Sequence, residues 1–186
     1  MKYISIGAVM TEGTEHILDV THGGNKFRLT GEKAALWLNG RCKFASVAHP
    51  SHLVALEQLF KMGLVVKCDG SGAEEYRALT KCTLVPAESK HPYFGLWGME
   101  KTVLQWLRSA GLVLSMAEVT YLIDRNVQME NKLLGSQNAQ ALVERIYTKD
   151  TIFNNILENQ MERAEVRDSV VKAVLGLLRK KRLVLL

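Results

Sequence analysis

The chain has 186 residues, 47% of them hydrophobic and 23% charged. That is enough to bury a core as one domain or two small ones, and it excludes a disordered chain. No apolar run approaches the roughly 20 residues of a membrane span, no signal-peptide pattern opens the chain, and Cys42, Cys68 and Cys82 lack the spacing of a disulfide framework or a zinc site.

Residues 2–30 predict a three-stranded meander. Ile4 and Ile6 alternate with Ser5 and Gly7, Ile17, Leu18 and Val20 form a second run, and Phe27 and Leu29 a third. Thr11–Thr14 and His22–Asn25 supply the turns. A helix follows from Thr30 or Gly31 to Asn39-Gly40, with Ala34, Ala35, Trp37 and Leu38 inside it. Phe44, Ala45, Val47 and Ala48 predict a short second helix. Pro50 and Ser51 then open a third helix through Met62, whose inward spacing is Leu53, Leu56, Leu59 and Phe60. Gly63 ends it, and Leu64-Val65-Val66 predicts a strand. Asp69–Gly72 is a turn signal, after which residues 75–85 predict a second strand and so a hairpin.

The polar stretch 86–92, bounded by two prolines, predicts a linker. Domains are therefore expected at 1–88 and 93–186. In the second, Met99–Ala110 predicts a helix, and Leu112–Leu114 a short strand. Ser115 and Glu118 have capping-box spacing for a helix through Asp124. Residues 126–135 predict a connection and 137–147 a helix. Asp150 predicts the cap of a further helix, with Ile152, Phe153, Ile156 and Leu157 on its apolar face. The last helix carries Val166, Val170, Val171, Val174, Leu177 and Leu178 at helical spacing. A basic turn, Arg179-Lys180-Lys181-Arg182, leads to a buried strand at 183–186. The expected class is α+β and mainly helical.

Charge is concentrated near this end. The net charge is +5, and Arg167, Lys172, Arg179, Lys180, Lys181 and Arg182, set against Asp168, equal that excess. Such a patch attracts phosphate, although cations also suit the negative end of a helix dipole. A weak internal likeness joins 56–66 to 175–186, since each ends an amphipathic helix and enters a Leu/Val strand.

Three helices followed by a hairpin, Ser51–Val66 in the first half, and the run Ser169–Val184 resemble tandem winged helix-turn-helix proteins of the bacterial transcription-regulator type. The resemblance implies two winged-helix-like domains, the first preceded by the meander. It implies a non-enzymatic regulator that binds duplex DNA as a homodimer, and the cysteine pattern suits a reducing cytoplasm. Arg167, Ser169 and Lys172 would then read or position on base edges. Arg179, Lys180, Lys181 and Arg182, with Lys67, Arg77 and Lys81 on the first wing, would contact phosphate. DNA binding requires Arg167, Lys172 and the Arg179–Arg182 cluster to lie on one accessible surface, and burial of Lys172 between domains would count against it. Three strands followed by three helices at 2–62 also resemble PqqD-like peptide-recognition domains, which imply a protein or peptide partner bound by strand addition. Nothing in the pattern points to catalysis, a metal, a cofactor or a membrane partner. The histidines are scattered, without HExxH or HxH, and Gly70-Ser71-Gly72 is followed by no GK[ST]. Trp37, Trp97 and Trp106 are expected in the core, as are Met99, Met116, Met129 and Met161.

Overall fold

The chain begins in a strand with both faces covered. In the computed structural model, which describes residues 1–11, 17–147 and 154–186, β1 (Lys2–Ser5) lies between β5 (Ala45–Ser46) and β6 (Val65–Cys68), antiparallel to both. Side chains alternate across a strand, and here each face meets a different core. Tyr3 and Val65 enter a smaller core with Trp37, Leu56 and Leu59. Ile4 and Val66 enter a larger one with Tyr76, Leu79 and Leu84. This sheet is a wall between the two.

The meander forms one strand later than expected, as β2 (Ala8–Thr11), β3 (Ile17–His22) and β4 (Asn25–Thr30), in the order β2-β3-β4. Ile4 and Ile6 do not belong to it. Gly7, at φ +113°, turns the chain out of one sheet into the other, and a Cβ there would meet Val20 Cγ1 at 2.7 Å. The turn expected at 11–14 lies, beyond Thr11, outside the described residues. The meander covers the smaller core with Leu18, Val20 and Leu29.

Helices α1 (Gly31–Gly40) and α2 (Pro50–Lys61) form where expected. Between them the short helix expected at 44–48 is instead strand β5. Ala45 and Val47 are buried and Ser46 is exposed, a period of two, and Ala45 pairs with Tyr3. The larger difference follows β6. The expected second hairpin strand is helix α3 (Ala73–Thr80), with Glu74 and Glu75 in its first turn and Arg77 in its last. Those charges complement the helix dipole, and Ala, Glu, Arg and Leu are strong helix formers. No wing hairpin forms over 64–85. β6 pairs with β1 instead, and past α3 only Leu84–Pro86 is extended, as β7, whose partner is β8 (Leu183–Leu185) near the far end of the chain.

The remaining helices are α4 (Gly98–Ser109), α5 (Met116–Asp124), α6 (Ala139–Ile146), α7 (Asn154–Met161) and α8 (Arg167–Arg179), with short 3-10 turns at Asn131–Leu133 and Ser136–Asn138. The class is α+β. The capping box at α5 is present in both halves. The Glu118 amide donates to Ser115 Oγ at 3.2 Å, and the Ser115 amide to Glu118 Oε2 at 2.6 Å. Leu112–Leu114 is not a strand, and β8 takes β7 as its neighbour instead. Asp150, Ile152 and Phe153 lie outside the described residues; in α7, Leu157 is buried and Ile156 exposed. The larger core draws on both sides of the 86–92 stretch, joining Ile4, Tyr76 and Leu84 to Val103, Trp106, Val174 and Leu177.

Candidate functional site

The outer edge of the meander and the basic turn after α8 bear on the sequence expectations of a peptide and a DNA partner. The meander's second hairpin closes through Gly23 and Gly24, at φ +56° and +78°, so that His22 pairs with Asn25. Two left-handed residues make a type I′ turn, whose flanking residues exchange both backbone hydrogen bonds. Alternating from there, Phe27 bonds to Val20 and Leu29 to Leu18. Lys26 and Arg28, with the amide of Thr30, therefore direct their backbone groups away from β3. Among the described residues no strand lies on that side of β4. The opposite edge differs. β2 is four residues long and its register shifts between Val9 and Thr11, an irregularity that blunts an edge. β4 runs six residues without interruption.

The side chains on this edge are set by the same alternation. Leu29 is buried, Phe27 is half-buried against the smaller core, and Lys26, Arg28 and Thr30 are exposed. Arg28 sits opposite Asp19, a pair that exchanges no backbone bonds, where side chains approach more closely. Its Nε donates to Asp19 Oδ1 at 2.9 Å and its Nη2 to Oδ2 at 3.1 Å. These bonds hold the Asp19 carboxyl below its ordinary range. Leu53 and Met62 add half-buried apolar surface at the margin of the same core.

The second surface is more constrained. Helix α8 buries Val170, Val171, Ala173, Val174, Gly176, Leu177 and Leu178, so only a narrow stripe of Asp168, Lys172, half-buried Leu175 and Arg179 faces out, with Ser169 beside it. Lys172 is exposed, not buried between domains. Arg167 is partly covered: its Nε donates to Asp168 Oδ1 at 2.8 Å and its Nη1 to the Glu162 carbonyl at 2.5 Å. The first of these bonds lowers the Asp168 carboxyl. The basic turn reaches back to the first turn of α4 and the segment before it. Lys180 Nζ lies 2.5 Å from Glu100 Oε2 and 3.0 Å from the Gly95 carbonyl, and Arg182 donates to Ser89 Oγ. Lys181, at φ +53°, makes the turn into β8. Arg179 is exposed.

The residues expected on a first wing are not brought together. Lys67, on β6, bonds Glu57 at 2.5 Å and lies 4.1 Å over the Phe60 ring. Arg77, on α3, grips both carboxylate oxygens of Glu162 at 2.7 Å and also bonds Glu74. Its hydrogen bonds hold Glu162 below the usual carboxylate range. Lys81 is exposed just past α3. Between α3 and α7, Tyr76, Arg77, Lys81, Glu158 and Glu162 line a hollow of about 320 Å³. Burial raises both the Tyr76 phenol and the Glu158 carboxyl.

Among the described residues no group of three or more His, Cys, Asp or Glu side chains is placed to hold a metal. His52 lies 3.2 Å from Glu32, and His49 Nδ1 accepts from the Ser51 amide as the cap of α2. No described helix is long and apolar enough to cross a membrane. Trp37 and Trp106 are core residues, and so are Met116 and Met161. Met99 and Met129 are half-buried. Trp97 is not in the core: it is 82% exposed, beside Phe94 at 80%. Sequence reasoning missed this pair and the free edge of β4. The Gly23-Gly24 turn could have exposed the edge through hairpin pairing, whereas nothing periodic marks Trp97. Comparison with protein-family models, curated proteins and solved structures returns no match.

Proposed function

We propose that this protein is a non-enzymatic peptide-binding module that takes an extended segment of a partner as a fourth strand along β4. The observation that carries this reading is the uninterrupted six-residue edge, with the backbone groups of Lys26 and Arg28 and the Thr30 amide turned outward. Main-chain bonds would supply affinity, and the half-buried Phe27 on the strand itself would help select side chains. The three free thiols fit a reducing compartment.

Duplex DNA is the second reading, favoured by Lys172 and Arg179 on one exposed stripe of α8. It ranks lower because Lys180 and Arg182 are occupied in holding the segment before α4, and because Arg77 and Lys67 are ion-paired.

The test is selection of binders from a displayed random peptide library, followed by amide hydrogen exchange. Bound peptide should protect the amides of Lys26, Arg28 and Thr30. Arg28→Pro removes an outward donor that the ladder does not use, a change edge strands tolerate, and it should abolish binding with the fold intact. Binders indifferent to Arg28→Pro would sink the reading. In parallel, a duplex whose affinity falls steeply with salt, about 0.9 in slope per phosphate neutralised, and which is lost on Lys172→Ala with Arg179→Ala, would move the assignment to DNA.

A further inference from the structure

Among the described residues, the two most exposed large apolar side chains, Phe94 and Trp97, share the loop between β7 and α4. A single exposed apolar side chain is ordinary, but two large aromatics this open on one loop fit an interaction site. The loop is held in place. Leu96, between them, is buried in the larger core, the Phe94 and Leu96 amides donate to the His91 and Tyr93 carbonyls, and Lys180 bonds the Gly95 carbonyl. The two rings therefore project from a pinned tip rather than folding back.

The surroundings of this tip are positive. The loop and the start of α4 carry Lys90 and Lys101, and the basic turn bonded to them adds Arg179, Lys180, Lys181 and Arg182; Glu88 and Glu100 are the acids on the same segments. Glu100 is ion-paired to Lys180 at 2.5 Å. Lys90, Lys101 and Arg179 are exposed. Projecting aromatics with cations around them match a bilayer interface, where rings sit at headgroup depth and lysines and arginines meet anionic headgroups.

We propose that the Phe94/Trp97 tip is a peripheral docking site for an anionic membrane surface. The proposal departs from the sequence expectation of no membrane partner, and it does not depend on the peptide reading. Insertion is shallow, with the rings at the interface and the basic turn above the headgroups. A stacking platform for single-stranded nucleic acid would use similar residues, but it would present ring faces along a groove. Here the pair stands at a tip.

The molecule carries its own probe. Trp37 and Trp106 are buried and Trp97 is exposed, so an emission change on adding a surface reports Trp97. The experiment mixes the full chain with vesicles of phosphatidylglycerol and phosphatidylcholine, or of phosphatidylcholine alone, and follows both emission and co-sedimentation. A blue shift and sedimentation with the anionic vesicles alone are expected, weakened by salt. Phe94→Ala with Trp97→Ala should abolish sedimentation while the thermal midpoint stays within a few degrees. Lys90→Glu and Lys101→Glu should each weaken binding by about fivefold or more. No response to anionic vesicles, an equal response to neutral ones, or unchanged sedimentation of the double alanine variant would overturn the proposal. So would quenching of Trp97 by a single-stranded oligonucleotide, or a dimer lost in the double variant, in the absence of vesicle binding.

Discussion

Each of the three cysteines has a distinct setting, and the settings set their chemistry. Burial pushes the Cys82 thiol up to about 12 and raises Cys68 as well, while Cys42 is only partly covered. The thiolate is the reactive form. One thiol, Cys42, should therefore react quickly with a maleimide in the native protein, and Cys42→Ser should remove that phase; a fast phase that survives this change contradicts the assignment. Ser115 offers a second test. Its hydroxyl caps α5, so Ser115→Ala should cost about 1 kcal/mol in urea denaturation. This cap was legible in the sequence because a capping box is a local code of two residue types at fixed spacing. The setting of Trp97 was not legible. A tryptophan outside any periodic run carries no sign of which way it points, and apolar residue types alone favour the interior.

Helix α3 shows where local signals mislead. Gly70-Ser71-Gly72 reads as a hairpin turn, yet it precedes a helix start. The deciding signal was the placement of Glu74, Glu75 and Arg77 relative to the dipole, not the turn. That helix places Arg77 against Glu162 and so joins α3 to α7. Glu162 has its folded value depressed, so its contribution to stability is present above its unfolded value, about 4.3. The contribution is lost as pH falls through the lower folded value. Arg77→Ala should therefore lower the urea midpoint at neutral pH and flatten its fall below about pH 4.3 relative to the native protein. Parallel acid profiles for the two proteins would exclude this pair as the cause. Helix α8 was legible in extent but not in role. Its apolar spacing was plain, but burial on both flanks depends on α3 and α4, which only the tertiary structure brings to it.

At the scale of the molecule, the wall of β5, β1 and β6 accounts for the difference between the expected and the observed sheet of the first strand. A strand covered on one face alternates, and Ile4 and Ile6 against Ser5 and Gly7 looked like that pattern. A strand covered on both faces need not alternate, and Tyr3 is as buried as Ile4. The Trp37 indole N–H also donates to the Ile6 carbonyl at 3.1 Å, tying the smaller core to the end of the wall. The two cores should therefore unfold together. A variant with Trp37 as its only tryptophan and one with Trp106 alone should each give a fluorescence midpoint equal to that from circular dichroism; separate midpoints would mean separate units. Leu185→Ala, in the two-stranded β7–β8 sheet, should cost about 2–5 kcal/mol and lower both midpoints. That small sheet also has a consequence for synthesis. Leu84 waits for Leu185, about a hundred residues later, which at roughly 5–20 residues per second leaves β7 unpaired for roughly 5–20 s on the ribosome. Through that interval the apolar side of α3 and β7 is open to nascent-chain chaperones.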